Sequence, residues 1–405
     1  MIMVSPPTTP IKFDLQTRFG SIYDDAEKEA VIECLERDAP TSGKSVVEFE
    51  KKFAEMCNVK HAIAVSNGTA ALLMAFKAIG IKLGDEVITT PITWIATPAC
   101  ADVLGATIKF CDVDPATMNM DPGTLESLIT EKTKAIVPVH MYGQPVDMDP
   151  IMEIAATHGL KVIEDAAHAP GGKYKDKMTG SIGDLGCFSF HEQKNISTLG
   201  EGGMVTTNDD GLNEMVRLYK SHCTRVFGQS TKYLSLDESE YQDEVDKGHY
   251  WFQDFDDCGY NVRMTDIQGA VGICQLEKLP DLNNRRKEIA SYLTETLGQV
   301  PGLKPGTIIP GADPVFHLYL IFVEDNAKVS RDQFIYTLHQ DYGIKCGVHY
   351  IPLVYAKAFK TRGHTGAECP VACERWEHLV TLPCHPRLQE EHLEYMIESI
   401  KAVLE

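Results

Sequence analysis

One lysine stands in a glycine-rich turn between two short apolar runs. Cys187 to Phe190 reads as a buried strand and Met204 to Thr207 as another, with Lys194 and Gly200-Glu201-Gly202-Gly203 in the connection. Glycines let a backbone come close to a bound group, and an amine held off a buried strand is placed to form a Schiff base with a carbonyl. Taken alone, the segment reads equally well as a surface lysine in a turn.

Four further patches carry chemistry that agrees with the first reading. Ala64 to Leu72 is a strand, a glycine turn and a helix start. The free N–H groups at such a helix start make Gly68, Thr69 and Ala70 a candidate phosphate cradle, or a plain cap. Val162 to His168 ends a buried strand with two acids. Asp165 there can salt-bridge a ring nitrogen and keep it protonated, as a pyridine cofactor needs to act as an electron sink; capping of the next turn is the alternative. Trp94 follows another strand end, where its flat ring can stack on a flat cofactor or simply pack. Asn261 and Arg263, in Gly259 to Met264, offer donors suited to phosphate or to the cap of the helix that follows.

These patches need a scaffold. With 405 residues, one large α/β domain and a smaller one are expected. Helices are expected over Tyr23–Arg37 and Ser45–Cys57, the first stopped by the Pro and Gly of residues 38–43. Short β-branched runs follow at 59–65, 86–90, 107–113, 133–139 and 160–164, separated by helical patterns. That alternation implies parallel pairing with helices on both faces, and such sheets bind ligands beyond the carboxyl ends of their strands. Residues 228–258 break the pattern with an acidic run and then Tyr250, Trp251, Phe252 and Phe255. They read as an inserted loop that folds over a site, or as a solvated excursion packed on a neighbouring subunit. A long helix over 265–297 leads into a small α+β domain with strands at 316–323 and 346–350 and helices from Asp332 and Glu390.

A formal charge of −20 argues against nucleic-acid or anionic-membrane partners, which require basic surfaces. The twelve cysteines are scattered, and the pair Cys369 and Cys373 has no matching pair, so neither a metal site nor a disulfide framework is expected. A reducing cytoplasm fits best. Met1 to Pro10 lacks the basic start and long apolar run of a signal peptide, and no apolar run approaches the length of a membrane span.

From about Thr41 onward the chain resembles the sugar aminotransferases of the DegT/DnrJ/EryC1/StrS group. The resemblance rests on Ser66-Asn67-Gly68-Thr69-Ala70-Ala71-Leu72, Asp112-Val113-Asp114, Pro138 to Gly143, Glu164 to His168, Phe188-Ser189-Phe190 with Lys194 and Gly200 to Gly203, and Gly259 to Met264. His349-Tyr350 and Leu382 to Pro386 extend it. It implies an α/β protein of the aspartate aminotransferase-like fold, the fold type I of pyridoxal 5′-phosphate enzymes. Residues 1–30 would form an N-terminal segment, 31–275 a large domain with a mostly parallel seven-stranded sheet, and 276–405 a small C-terminal domain.

The resemblance also implies roles. Lys194 would form the Schiff base, Asp165 would hold the pyridine nitrogen, His168 would sit by the ring hydroxyl and Trp94 on the ring face. The phosphate would be gripped at Thr69 and Ala70, by the Ser189 hydroxyl and by Asn261 of the second subunit of a homodimer, with Arg263 in the same cluster. An amino group from glutamate or glutamine would pass through the pyridoxamine form to a keto-sugar, nucleotide-linked in most relatives, or to a cyclitol ketone. A dehydratase branch carries histidine where Lys194 stands, and a regulator without turnover would show a damaged site. His317, Tyr319, His349 and Tyr350 can contact sugar hydroxyls or pack in the small domain. The acidic 237–246 segment would repel a diphosphate if it bordered the pocket.

Overall fold

The computed structural model describes residues 9–17, 21–37, 41–227 and 234–405. Part of the expected 228–258 insertion, and the Pro40 stop of the first helix, lie outside the described residues.

Helix α1, Asp25–Glu36, starts at a reciprocal Asp24/Glu27 capping box, and α2, Lys44–Cys57, buries Val46, Phe49 and Phe53 on one face. The seven strands that follow are β1 (His61–Val65), β2 (Glu86–Thr89), β3 (Thr107–Phe110), β4 (Thr133–Val137), β5 (Lys161–Asp165), β6 (Leu185–Ser189) and β7 (Gly203–Thr207). They form one sheet in the order β1-β7-β6-β5-β4-β2-β3. Pairing is parallel from β3 through β6, whereas β7 runs antiparallel to both β6 and β1.

That single reversal decides where the chemistry can sit. Because β7 returns beside β6, residues 190–202 stay at the carboxyl edge of the parallel strands instead of crossing a face. Strand β1 points the same way as β6, so helix α3 (Gly68–Ala78) also begins at this edge. The expected open α/β sheet is therefore present, and the turn that holds Lys194, the end of β5 and the start of α3 share one rim.

Helix α4, Asp266–Leu297, opens on a Thr265/Gln268 capping box and runs through Pro280. Leu276, Leu279 and Leu282 join the core against the large sheet, and Ile289, Leu293 and Leu297 join the core of the carboxyl-terminal part. The change of core falls within the helix, between Leu282 and Ile289. The second core is built on strands Leu303–Pro305, Tyr319–Val323 and Leu379–Leu382 with helices Arg331–Tyr342 and Glu390–Leu404.

Two expectations for this part are corrected. Residues 346–350 form no strand; they are tied to the sheet by one bridge, Gly347 to Thr381, and the partners of Tyr319–Val323 are Leu303–Pro305 and Leu379–Leu382. The expected strand from Phe316 begins only at Tyr319, since Phe316 turns out of extended geometry at φ +43°. Among the described residues no helix is long and apolar enough to cross a membrane.

Candidate active site

A cavity of about 620 Å³ opens at the shared rim, walled by Lys194, Asp165, His168, Ser189, Trp94 and the Asn67–Thr69 turn. Each wall residue has a local reason to be there.

The Lys194 loop is held at both ends by backbone bonds, Phe190 N–H to Gly202 O at 2.7 Å and Glu192 N–H to Gly200 O at 3.0 Å. The Thr198 hydroxyl donates to Glu201 O at 2.7 Å inside it. Lys194 itself is half-buried, and burial brings its ammonium pKa down to about 8, with the Asp165 carboxylate opposing the fall. The uncharged amine is thus far more accessible near neutrality than in a free lysine.

At the end of β5 the two acids separate because strand side chains alternate. Glu164 turns away and is saturated by the N–H groups of Gly180, Ile182 and Gly183 and by His140. Since His140 Nδ1 accepts from Val146 N–H at 3.1 Å, its Nε2 carries the proton that Glu164 receives. Asp165 turns to the cavity. It accepts from the Thr97 hydroxyl at 2.7 Å and the Ala167 N–H at 3.1 Å, which leaves lone pairs for a cationic donor. The Thr93 hydroxyl stands 2.8 Å from that of Thr97, whose proton goes to Asp165, so Thr93 donates.

The third wall is the start of α3. Asn67 caps it by accepting from Ala70 N–H at 2.8 Å, so of the expected cradle the Ala70 N–H is already engaged, while Gly68 and Thr69 line the cavity. Strand β1 is fixed behind it through buried Glu50, which accepts from Ala64 N–H at 2.8 Å and pairs with Lys220 and Arg217. A Cβ on Gly68 would lie 2.7 Å from Ser189 Cβ. Gly68→Ala is therefore expected to cost about 1–3 kcal/mol of stability by overpacking and to weaken phosphate binding at least about tenfold; thermal melting and a cofactor titration check both.

Other residues singled out in the sequence fall in three groups. His349 and Tyr350 line the cavity, with Tyr350 5.7 Å from the Trp94 ring centre. Burial and the nearby Lys194 push His349 down to about 4, so its ring is neutral at working pH. His317 is fully buried behind His168, ring centres 4.3 Å apart, and does not reach the cavity wall. Tyr319 lies elsewhere, in the small-domain core with its hydroxyl 2.8 Å from that of Thr294; the expected sugar contact is corrected to packing. Asn261 and Arg263 line no part of this chain's cavity; Asn261 bridges Ser221, and Arg263 donates to the Ser221 hydroxyl at 3.0 Å. Thr97 and Gln193 belong to the site and were not marked out by any motif.

No described residue of the 234–258 arm lines the cavity. Several of its acids are engaged locally, Asp237 with Ser239 and Glu244 with His249. The short strands of this arm pair with Thr224–Val226.

A mostly parallel sheet whose carboxyl rim collects a loop lysine, a strand-end aspartate and a helix start defines a transferase of the pyridoxal phosphate-dependent fold type I class. The model of the DegT/DnrJ/EryC1/StrS aminotransferase family matches residues 21–401, and the chain belongs to that family. It is 38% identical over 383 residues to the spore coat polysaccharide biosynthesis protein SpsC of Bacillus subtilis, covering 93% of this chain and 94% of that one. It is also 38% identical over 384 residues to the GDP-perosamine synthase of Caulobacter vibrioides, covering 94% and 96%. Among solved structures, Helicobacter pylori PseC, an aminotransferase involved in pseudoaminic acid biosynthesis, superposes with a TM-score of 0.86 at 29% identity, covering 97% of this chain and 99% of that one.

Proposed function

We propose that the chain transfers an amino group from glutamate or glutamine to a nucleotide-linked 3- or 4-keto-deoxy sugar, in the service of amino-sugar biosynthesis. The observation that carries this reading is the placement of a low-pKa amine, Lys194, and an open carboxylate, Asp165, in one cavity beside a helix start. The names of the relatives from C. vibrioides and H. pylori support the acceptor class.

The residues fit a phosphorylated pyridine aldehyde. His168 carries a buried Nδ1 without a hydrogen-bond partner, as a residue beside a ring hydroxyl would, and a Cβ at Gly68 would crowd Ser189 where the backbone lines the cavity. Pyridoxal phosphate supplies the electron sink that makes a carbon–hydrogen bond of the amino donor acidic. Lys194 would hold it covalently, Asp165 at the ring nitrogen, and Gly68, Thr69 and Ser189 at the phosphate, with Trp94 against the ring. Asn261 would complete the phosphate site from the partner subunit of a homodimer.

When the donor amine takes its place, Lys194 Nζ becomes a free base and takes the proton from the donor's α-carbon; in the return half it delivers a proton to the former carbonyl carbon of the acceptor. Asp165 keeps the ring nitrogen protonated throughout. His349 and Tyr350, at the wall facing Trp94, orient the acceptor hydroxyls. A screen of the pyridoxamine phosphate form against keto-sugars and inososes tests the assignment. Return of the aldehyde-form absorbance with nucleotide-linked keto-sugars is expected, and a return only with inososes or simple 2-oxo acids would refute the acceptor class.

A further inference from the structure

Asn195, the residue after Lys194, is fully buried and starts a chain of hydrogen bonds whose direction chemistry alone determines. Asn283 Nδ2 is 2.9 Å from the Pro170 carbonyl. A carbonyl only accepts, so the amide must present its N–H there, and its Oδ1 is left to accept from Asn195 Nδ2 at 2.9 Å. The same Nδ2 reaches the Val315 carbonyl at 3.4 Å. Asn195 Oδ1 is thereby an acceptor, and its partner at 3.0 Å is His317 Nδ1. That nitrogen must carry a proton.

The surroundings of His317 keep the ring neutral. Burial pushes the ring well below its usual range, and the groups that face it include His168 from the turn after β5, Lys194 from its loop, Arg286 from α4 and His349 from the 344–350 segment, each of which disfavours a charged ring. A neutral ring protonated at Nδ1 has its lone pair on Nε2.

We propose that Asn195 is a positioning residue for the reaction: it fixes His317 as the neutral Nδ1–H tautomer, and so holds an uncharged ring against His168 and keeps a second cation away from the Lys194 amine. Three hydrogen bonds, two donated to Asn283 and Val315 and one accepted from His317, anchor the residue next to the lysine to α4 and to the 315–317 segment, so the contact that sets the tautomer also fixes the lysine loop. The idea rests on the aminotransferase reading only for its turnover arm.

The test uses the holoenzyme labelled with [15N]histidine, the His317 signals being assigned by their loss in His317→Asn. Between pH 6 and 9 (about the range of a neutral imidazole) the expected spectrum has a protonated Nδ1 and an unprotonated Nε2. A protonated Nε2 with bare Nδ1, or a doubly protonated ring at pH 7, would overturn the proposal; the deciding spectrum is that of the wild-type protein, with His317→Asn serving for assignment alone. In the second arm Asn195→Asp places a carboxylate on the ring nitrogen and raises the ring's pKa. The kcat deficit relative to wild type is then expected to grow about tenfold for each pH unit below the new pKa, in step with the nitrogen shifts. A deficit that is the same at every pH would mark plain structural damage and refute the positioning role. Because the shifts are read without turnover, a wrong tautomer and a wrong reaction assignment give separate failures.

Discussion

Lys194→Ala is expected to lower kcat by at least about 10⁴-fold, the upper range of general acid–base assistance, because it removes the proton carrier and the covalent anchor together. The fold should not suffer. Among the described residues the Lys194 Nζ makes no hydrogen bond or salt bridge, so no partner is stranded by its loss. The ammonium is in fact disfavoured in the folded state, since burial lowers its pKa from 10.5 to about 8. A base whose folded pKa lies below its unfolded value destabilises the native state fully at pH below the folded pKa, and not at all above the unfolded one. The apo form of the variant should accordingly melt higher than wild-type apoprotein at pH 7, and this advantage should vanish near pH 10.5. Calorimetry at the two pH values reads the first effect, and steady-state turnover reads the second. Repeated turnover at a rate near that of wild type would remove Lys194 from the mechanism.

Much of the site was legible because chemistry and secondary structure coincide at strand ends. The β1–α3 turn, the end of β5 and the Lys194 loop each announce themselves by an apolar run that stops at glycine or at an acid. The topology then does what such sheets do and gathers the stops on one rim. What could not be read is set by side-chain direction. Tyr319–Val323 is buried on both faces, with Tyr319, Ile321 and Val323 in one core and Leu320 and Phe322 in the other. A strand without polar alternation gives no sign of which way its tyrosine points, and Tyr319 points away from the cavity. Thr97 and Asn195 escaped notice for a related reason. Each is a small buried polar residue held by long-range bonds, Thr97 to Asp165 and Asn195 to Asn283, Val315 and His317, and such bonds leave no local pattern. The 346–350 segment has the composition of a strand, yet only Gly347 bridges to the sheet; the chain beyond it delivers His349 and Tyr350 to the cavity instead.

Asp165→Asn isolates the electrostatic part of the mechanism, because the hydrogen-bond network can absorb the change. An asparagine oxygen still accepts from the Ala167 N–H. Its amide nitrogen would face the Thr97 hydroxyl, which can turn to accept from it and donate instead to Thr93, 2.8 Å away. That turn costs only the acceptor of the Thr93 proton, whereas Asp165→Ala would remove the acceptor of both the Thr97 hydroxyl and the Ala167 N–H and confound charge with folding. The asparagine variant is therefore expected to fold and to load cofactor, but to lose about 10²–10³ in kcat, the range associated with removing one preorganised electrostatic contact. A second consequence separates this role from a merely steric one. Asp165 is the group that holds the Lys194 pKa up against burial, so in the apoprotein of the variant the lysine must titrate below 8, measurable as an acid-shifted reactivity toward an amine-directed reagent. If kcat stayed within about tenfold of wild type while the lysine titration moved as expected, the carboxylate would be a neighbour of the amine and not the partner of the ring nitrogen.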